Sequence, residues 1–187
     1  VNTIVKRVGR LYGYNTDYSG ASALLRHAGI ELQGRHVMIL GTGGTSHTLR
    51  CVASDLGADR ITLVSRHPAE GEIGYDELPA YSGSVQVLIN TTPVGMFPHT
   101  DGRPVNLEDF PALEGVADVI YNPLRTPLIR QAQALGGYDT DRSMSGINGG
   151  HMLTTGFARA AVLAQAPQLL EAIRSGAVKH IFLVGGC

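Results

Sequence analysis

Apolar residues fall into short runs along this chain. Val37 to Leu40 and Ile61 to Val64 are almost wholly apolar, while Val85 to Ile89 and Val116 to Tyr121 each carry one polar break. Runs of this kind are the pattern of strands buried on both faces. Between them the period lengthens. Thr45 to Leu56 reads as a helix stopped by Gly57, and "TPLIRQAQALGG" as a helix with Pro127 in its first turn and glycines past its end. "YDELPAY" and "LEDFPAL" read as short helical turns. Strands alternating with helices predict an α/β fold: a Rossmann-like, doubly wound parallel sheet with right-handed crossovers in three αβα layers.

Two segments flank this core. Near the start, "TIV" and "RLYGY" read as a strand pair with Gly9 at its turn. "NTDYSGASALLRHAG" follows as a helix, with Asp17 or Ser19 as its cap, an apolar face of Ala23, Leu24 and Ala28, and Gly29 as its end. Beyond Gly136, "GGYDTDRSMSGINGG" is polar and glycine-rich, a loop or junction over about 137–150. Phe157 to Ile173 reads as one long helix ending near Gly176, and "HIFLVGG" as a buried strand. The expected division is therefore a nucleotide-type domain over 1–136 and a helix-strand tail over 137–187.

Composition narrows the chemistry. The chain has 187 residues, enough for a real core. Its net charge of -1 implies no general polyanion surface, so nucleic acid is not an expected partner and any phosphate site must be local. No apolar run approaches the roughly 18 residues of a membrane span, and no signal-peptide pattern is found. Cys51 and Cys187 form no CxxC motif, which argues against a disulfide framework or a zinc site and for a reducing, cytoplasmic setting. The chain opens on Val1 and closes on Gly185-Gly186-Cys187, which reads as a fragment or an assembled sequence.

The 24 glycines predict tight turns and close backbone approaches, and three of them stand at one point, in Gly41-Thr42-Gly43-Gly44-Thr45. A strand, a glycine turn and a helix bring free N–H groups and the helix dipole together, a setting that favours a pyrophosphate. The alternative is a merely tight strand–helix turn. The end of the next strand decides between cofactors. An acid there prefers a ribose 2′-hydroxyl and a base accommodates a 2′-phosphate. This chain has Ser65-Arg66-His67, with no acid before Glu70. Arg66 is either a phosphate clamp or a solvated surface arginine, and the pattern points to NADP.

Six pieces together resemble shikimate dehydrogenases: "VNT" at Val1–Thr3, "GYNTDYSG" at Gly13–Gly20, "GTGGT" at Gly41–Thr45, "SR" at Ser65–Arg66, "NTTPVGM" at Asn90–Met96 and "DVIYNPLRTPL" at Asp118–Leu128. The resemblance runs to about Gly136. It implies a Rossmann domain that transfers hydride between NADPH and the C3 position of dehydroshikimate. It assigns Asn2 and Asp17 to the shikimate hydroxyls, with Asp17 sharing catalysis with a lysine. Gly41, Thr42, Gly43, Gly44 and Thr45 would hold the pyrophosphate, and Ser65 and Arg66 the adenosine phosphate end. Asn90, Thr91, Thr92, Pro93 and Met96 would line the dinucleotide, and Tyr121 would face nicotinamide and substrate. Each residue also has an ordinary reading: Asp17 as a helix cap, Asn90 and Asn122 as turn residues, Tyr121 as a core aromatic with one wet end.

The chain departs from the family in two ways. The substrate domain that carries the carboxylate-binding serines and the catalytic lysine is missing. Lys6 follows "VNT" where the family's lysine precedes it, and the other lysine is Lys179. "GGHML" at Gly149–Leu153 resembles the family's late substrate segment, but Gly156 stands where a glutamine is expected. From about Gly150 the chain instead resembles hybrid-cluster (hydroxylamine reductase) proteins, in which a cysteine placed like Cys187 ligates an iron–sulfur–oxygen cluster. One thiolate cannot hold such a cluster, so Cys187 is expected to be a free thiol and no metal is expected. The tail would cover an otherwise exposed sheet face or edge. The expected function is NADP binding by a shikimate dehydrogenase domain, inactive alone, with a shikimate-like molecule as partner once a substrate domain is supplied. The alternative is a chimeric Rossmann scaffold without catalysis.

Overall fold

The structure, a computed structural model, describes residues 1–136 and 159–178. The chain divides into two compact units, Val1–Arg142 and Ser143–Cys187. The first begins with a hairpin of β1 (Thr3–Arg7) and β2 (Arg10–Tyr14), whose turn places Val8 and Gly9 at positive φ. Helix α1 (Thr16–Ala28) follows. Its N-cap is Asn15, whose Oδ1 accepts from Tyr18 N at 3.3 Å, and not Asp17 or Ser19. Gly29 closes it in the left-handed region, as expected. The buried face differs from the expected one. Leu25 is buried and packs with Tyr18 and Ala21, whereas Leu24 is 52% exposed. Positions 18, 21 and 25 share one helical face, and packing against the next helix selects that stripe.

Five parallel strands then build the sheet: β3 (His36–Leu40), β4 (Arg60–Val64), β5 (Glu72–Ile73), β6 (Val87–Asn90) and β7 (Gly115–Asp118), in the spatial order β5-β4-β3-β6-β7. Helix α2 (Gly44–Asp55) crosses from β3 to β4, and α3 (Pro127–Ala134) follows β7. β5 has no counterpart among the expected strands; it is two residues long and pairs Leu63 with Glu72 and Val64 with Ile73. The last strand ends at Asp118 rather than Tyr121, because the chain turns there and Ile120 N bonds back to the Asp118 side chain.

Alternation along β3 explains the three layers. Val37 and Ile39 point into a core with Leu25, Leu49 and Val52 from α1 and α2. Met38 and Leu40 point the other way, into a core with Leu107, Phe110, Leu128 and Ala132. Every residue of β3 is buried, so the unbroken apolar run is a strand covered on both faces. The two helical turns are 3-10 segments, Tyr75–Ala80 and Leu107–Asp109. Thr126 caps α3, its hydroxyl accepting from Ile129 N at 3.3 Å, with Pro127 in the first turn.

In the second unit, α4 (Arg159–Arg174) is helical around Pro167, and Gly176 adopts positive φ just past its end. The expected junction, the strand from His180, and Gly156 and Cys187 lie outside the described residues. Among the described residues, no helix is long and apolar enough to cross a membrane, and no group of three His, Cys, Asp or Glu residues is placed to hold a metal.

Candidate dinucleotide site

The strand order reverses between β3 and β6, and the loops leaving those two strands meet there. Such a switch point is where open α/β sheets bind ligands. Gly41 leaves β3 with φ +100, held by its own N–H bond to Val64 O at 2.8 Å. A Cβ on Gly41 would lie 2.8 Å from Thr91 Oγ1 and 3.2 Å from Thr92 Cγ2, so the fold itself requires glycine here. Gly43 and Gly44 are different. A Cβ on either would meet nothing within 4 Å, and Gly43 has ordinary extended angles. Packing does not demand these two glycines. They leave a bare backbone facing open space at the start of α2.

That helix start is also electrostatically unoccupied. No described side chain caps it and its first turn holds no acid. Its orphan N–H groups and positive dipole end therefore remain for an anion. Thr45 is exposed in the first turn, and Ser46 is buried with its hydroxyl donating to Gly43 O at 2.6 Å. Thr42 Oγ1 and Ser65 Oγ lie 3.3 Å apart and join the glycine turn to the end of β4. Ser65 Oγ also accepts from His67 N at 3.2 Å, so its hydroxyl serves local structure. Arg66 is exposed and forms no ion pair with a described residue. Its charge reaches the half-buried Tyr75, whose phenol burial pushes up and Arg66 pulls down. A bare turn close to a guanidinium with no ion-pair partner among the described residues fits a dinucleotide with a terminal phosphate.

The loop after β6 faces the same end of the sheet. Thr91 Oγ1 donates to Leu40 O at 2.7 Å. Asn90 is fully buried: its Nδ2 donates to Asp118 Oδ1 at 3.0 Å, and its Oδ1 accepts from Thr92 N at 3.0 Å and Thr92 Oγ1 at 2.7 Å. Its oxygen and one of its N–H groups are thus engaged within the protein and shape the loop from beneath. Thr92 is half-buried, while Pro93 and Met96 are exposed. Tyr121 lies in the loop after β7 and is 69% exposed, so it is no core aromatic. Phe97 N bonds to Asn122 O at 3.0 Å and Val119 N to Asn90 O at 3.1 Å, which brings the two loops side by side.

Asn2 and Asp17 both lie at the start of α1. Asn2 Oδ1 accepts from Thr16 N at 2.9 Å and from the Thr16 hydroxyl at 3.2 Å, leaving its NH₂ unpartnered among the described residues. Asp17 is exposed in the first turn, and with Asn15 as the cap its carboxylate has no partner among them. An open groove of about 640 Å³ lies between the hairpin and α2, lined by Tyr14, Thr16, His47 and Thr48, but neither Asn2 nor Asp17 lines it. Sequence reasoning missed Asp118 and Thr126. The available signal was an acid ending an apolar strand, eight residues before a threonine that precedes Pro127.

No protein-family model matches the chain. It is 34% identical over 146 residues to shikimate dehydrogenase (NADP(+)) of Clostridium perfringens, a match covering 73% of this chain and 54% of that one. A chorismate mutase/shikimate 5-dehydrogenase fusion protein from Clostridium acetobutylicum superposes with a TM-score of 0.67 at 32% identity, over 73% of this chain and 52% of the other. Shikimate 5-dehydrogenase from Thermus thermophilus, solved in complex with NADP(H) and shikimate, gives 0.60 at 27% identity, over 71% and 52%. Shikimate dehydrogenases are therefore homologues of about 73% of this chain, which spans about half the length of the curated relatives it matches.

Proposed function

We propose that residues 1–136 bind NADP(H) and form the cofactor half of a shikimate dehydrogenase site, with hydride transfer between NADP(H) and the shikimate/3-dehydroshikimate pair as the reaction served. The observation that carries this is the pairing of a bare glycine turn with Arg66, neither of them capped or ion-paired by a described side chain. In this reading Gly43, Gly44 and Thr45 offer backbone N–H groups to the pyrophosphate. Arg66 takes the 2′-phosphate. Thr91, Thr92, Pro93 and Met96 line the dinucleotide, and Tyr121 faces the nicotinamide side. Bound NADP supplies the hydride acceptor; Asn2 NH₂ and the Asp17 carboxylate hold substrate hydroxyls.

The same reading makes the chain inactive alone. Asp17 has no cationic partner among the described residues, and Lys6 is exposed on β1. Interconverting a hydroxyl and a ketone needs a placed group to move the proton, and in this reading Asp17 shares that task with a cation that no described residue supplies. A shikimate-like molecule becomes the partner when a substrate domain is supplied, in a reducing cytoplasmic setting, and Cys187 is a free thiol without a cluster. Fluorescence titration with NADPH and NADH tests the cofactor reading. NADPH should bind the tighter of the two; equal binding, or none, rejects it.

A further inference from the structure

Asp118 ends β7, half-buried at the carboxyl end of the sheet. Its carboxylate serves three donors from three segments. Oδ1 accepts from Asn90 Nδ2 at 3.0 Å and from Ile120 N at 3.1 Å, and Oδ2 accepts from Thr126 Oγ1 at 2.7 Å. The contacts continue on both sides. Asn90 Oδ1 takes both bonds from Thr92, and Thr92 Oγ1 accepts from Val94 N at 3.3 Å. Thr126 Oγ1 accepts from Ile129 N at 3.3 Å. One polar chain therefore runs from the loop after β6, through Asp118, to the cap of α3.

Donor and acceptor arithmetic gives this chain a direction. A carboxylate only accepts, and an amide does both. Asn90 needs its oxygen for Thr92, so it must aim its NH₂ at position 118. A pure acceptor at 118 satisfies that demand, and the amide orientation at 90 then fixes Thr92. Asn90 is 0% exposed and Thr126 1%, so water cannot replace a lost partner and each unmade bond is costly. The backbone bonds Val119 N–Asn90 O and Phe97 N–Asn122 O flank the chain and hold the ends of both loops.

We infer that Asp118 is a positioning residue that couples the Thr91–Met96 loop to the Val119–Arg125 loop, so that the segment lining the dinucleotide and the segment carrying Tyr121 are ordered together. Its consequence for cofactor binding rests on the NADP reading above; the coupling itself does not.

The test is a charge-pattern swap read by backbone hydrogen exchange in the free chain. Asp118→Asn keeps one acceptor oxygen but must turn its NH₂ on either the Asn90 amide or the Thr126 hydroxyl, so one bond is lost, whereas Asn90→Asp opposes two carboxylates. The double variant Asn90→Asp/Asp118→Asn restores one donor–acceptor pair, because the new carboxylate at 90 accepts from Thr92 and from the new amide at 118. Asn90→Asp should speed exchange in both loops by about tenfold, Asp118→Asn should have the smaller effect, and the double should return to within about threefold of the parent. Thr92→Val is a milder variant at a half-buried loop position, and it should speed exchange across the gap at Ile120–Asn122. NADPH affinity should fall about tenfold in Asn90→Asp and recover in the double. Loosening confined to residues 91–96 in Asn90→Asp, no change at Ile120–Asn122 in Thr92→Val, or a double as loose as Asn90→Asp would overturn the coupling. Failure of the parent to bind NADPH would reject the cofactor reading and leave exchange to decide this one.

Discussion

Thr91 places its hydroxyl oxygen 2.8 Å from where a side chain on Gly41 would begin, while that hydroxyl donates to Leu40 O at 2.7 Å. The loops leaving β3 and β6 thus touch through a threonine and a missing Cβ. Gly41→Ala meets both that contact and φ +100. It should lower stability by about 1–3 kcal/mol, measured by urea unfolding. Gly43→Ala faces open space at ordinary angles. It should leave stability within about 0.5 kcal/mol yet weaken NADPH by about tenfold, or 1.4 kcal/mol. An equal loss of stability in both variants would mean that the turn is dictated by packing alone and not shaped for a ligand.

Arg66 should carry the preference for NADP over NAD. It has no carboxylate partner among the described residues, so its removal leaves no orphaned charge behind. Arg66→Ala should therefore unfold at the same denaturant concentration as the parent. Its preference for NADPH over NADH should shrink by about 1.5–3 kcal/mol, the range for a hydrogen bond to a charged group. Titration of both cofactors against both proteins checks this. Unchanged NADPH affinity in the variant would remove Arg66 from the site.

How much of this was legible in the sequence depends on distance along the chain. The buried strand Val37–Leu40 and the glycine turn are local patterns, and both stand where the sequence placed them. The face of α1 was not legible, because Leu25 rather than Leu24 is chosen by contact with α2. β5 is too short to show a period; it forms by pairing alongside the end of β4. The cap of α1 went to Asn15 instead of Asp17 because its side chain also reaches Thr48 Oγ1 at 3.2 Å, 33 residues away. The Asn90–Asp118 pair spans 28 residues and two strands, and no local spacing announces it.

His36 should make stability sensitive to mild acid. Its ring is 6% exposed and bridges Ser84 Oγ at 3.0 Å and Thr62 Oγ1 at 2.9 Å. Burial, with the Arg60 cation adding to it, holds the imidazole below its ordinary 6.5. The unfolded chain thus takes up a proton at position 36 before the folded chain does. The stability tied to neutral His36 is full above about pH 6.5 and is lost as the pH falls below it. Asp118 acts with the opposite sign, since burial holds its carboxyl above the ordinary 3.8 despite the bonds from Thr126, Ile120 and Asn90. Its contribution is greatest in acid and is lost as the pH rises through its folded-state value. Urea midpoints between pH 5 and 8 should fall less steeply on acidification for His36→Gln than for the parent. Parallel profiles would show that the buried ring does not set this slope.

The last prediction concerns turnover. Mixed with shikimate and NADP, this chain should produce reduced cofactor at no enzyme-like rate, even if it binds NADP. Oxidising a hydroxyl needs a group to take its proton and a scaffold to hold its carbon against the nicotinamide. Proton transfer by a placed side chain contributes about 10²–10⁴-fold, and positioning as much as about 7–11 kcal/mol of barrier. The structure supplies part of each. Asn2 is tied to Thr16 by its oxygen and offers one NH₂, and Asp17 is exposed at the start of α1. Neither is backed by a described cation, and Lys6 is exposed on β1. Two polar groups on a solvated edge exchange partners with water instead of fixing a small polar substrate. The measurement is absorbance of reduced cofactor over time, with Asp17→Ala beside the parent. Robust turnover in the parent that disappears in Asp17→Ala would reject the prediction, because it would mean that Asp17 has found its partner and the substrate its walls in the chain itself or in a second copy.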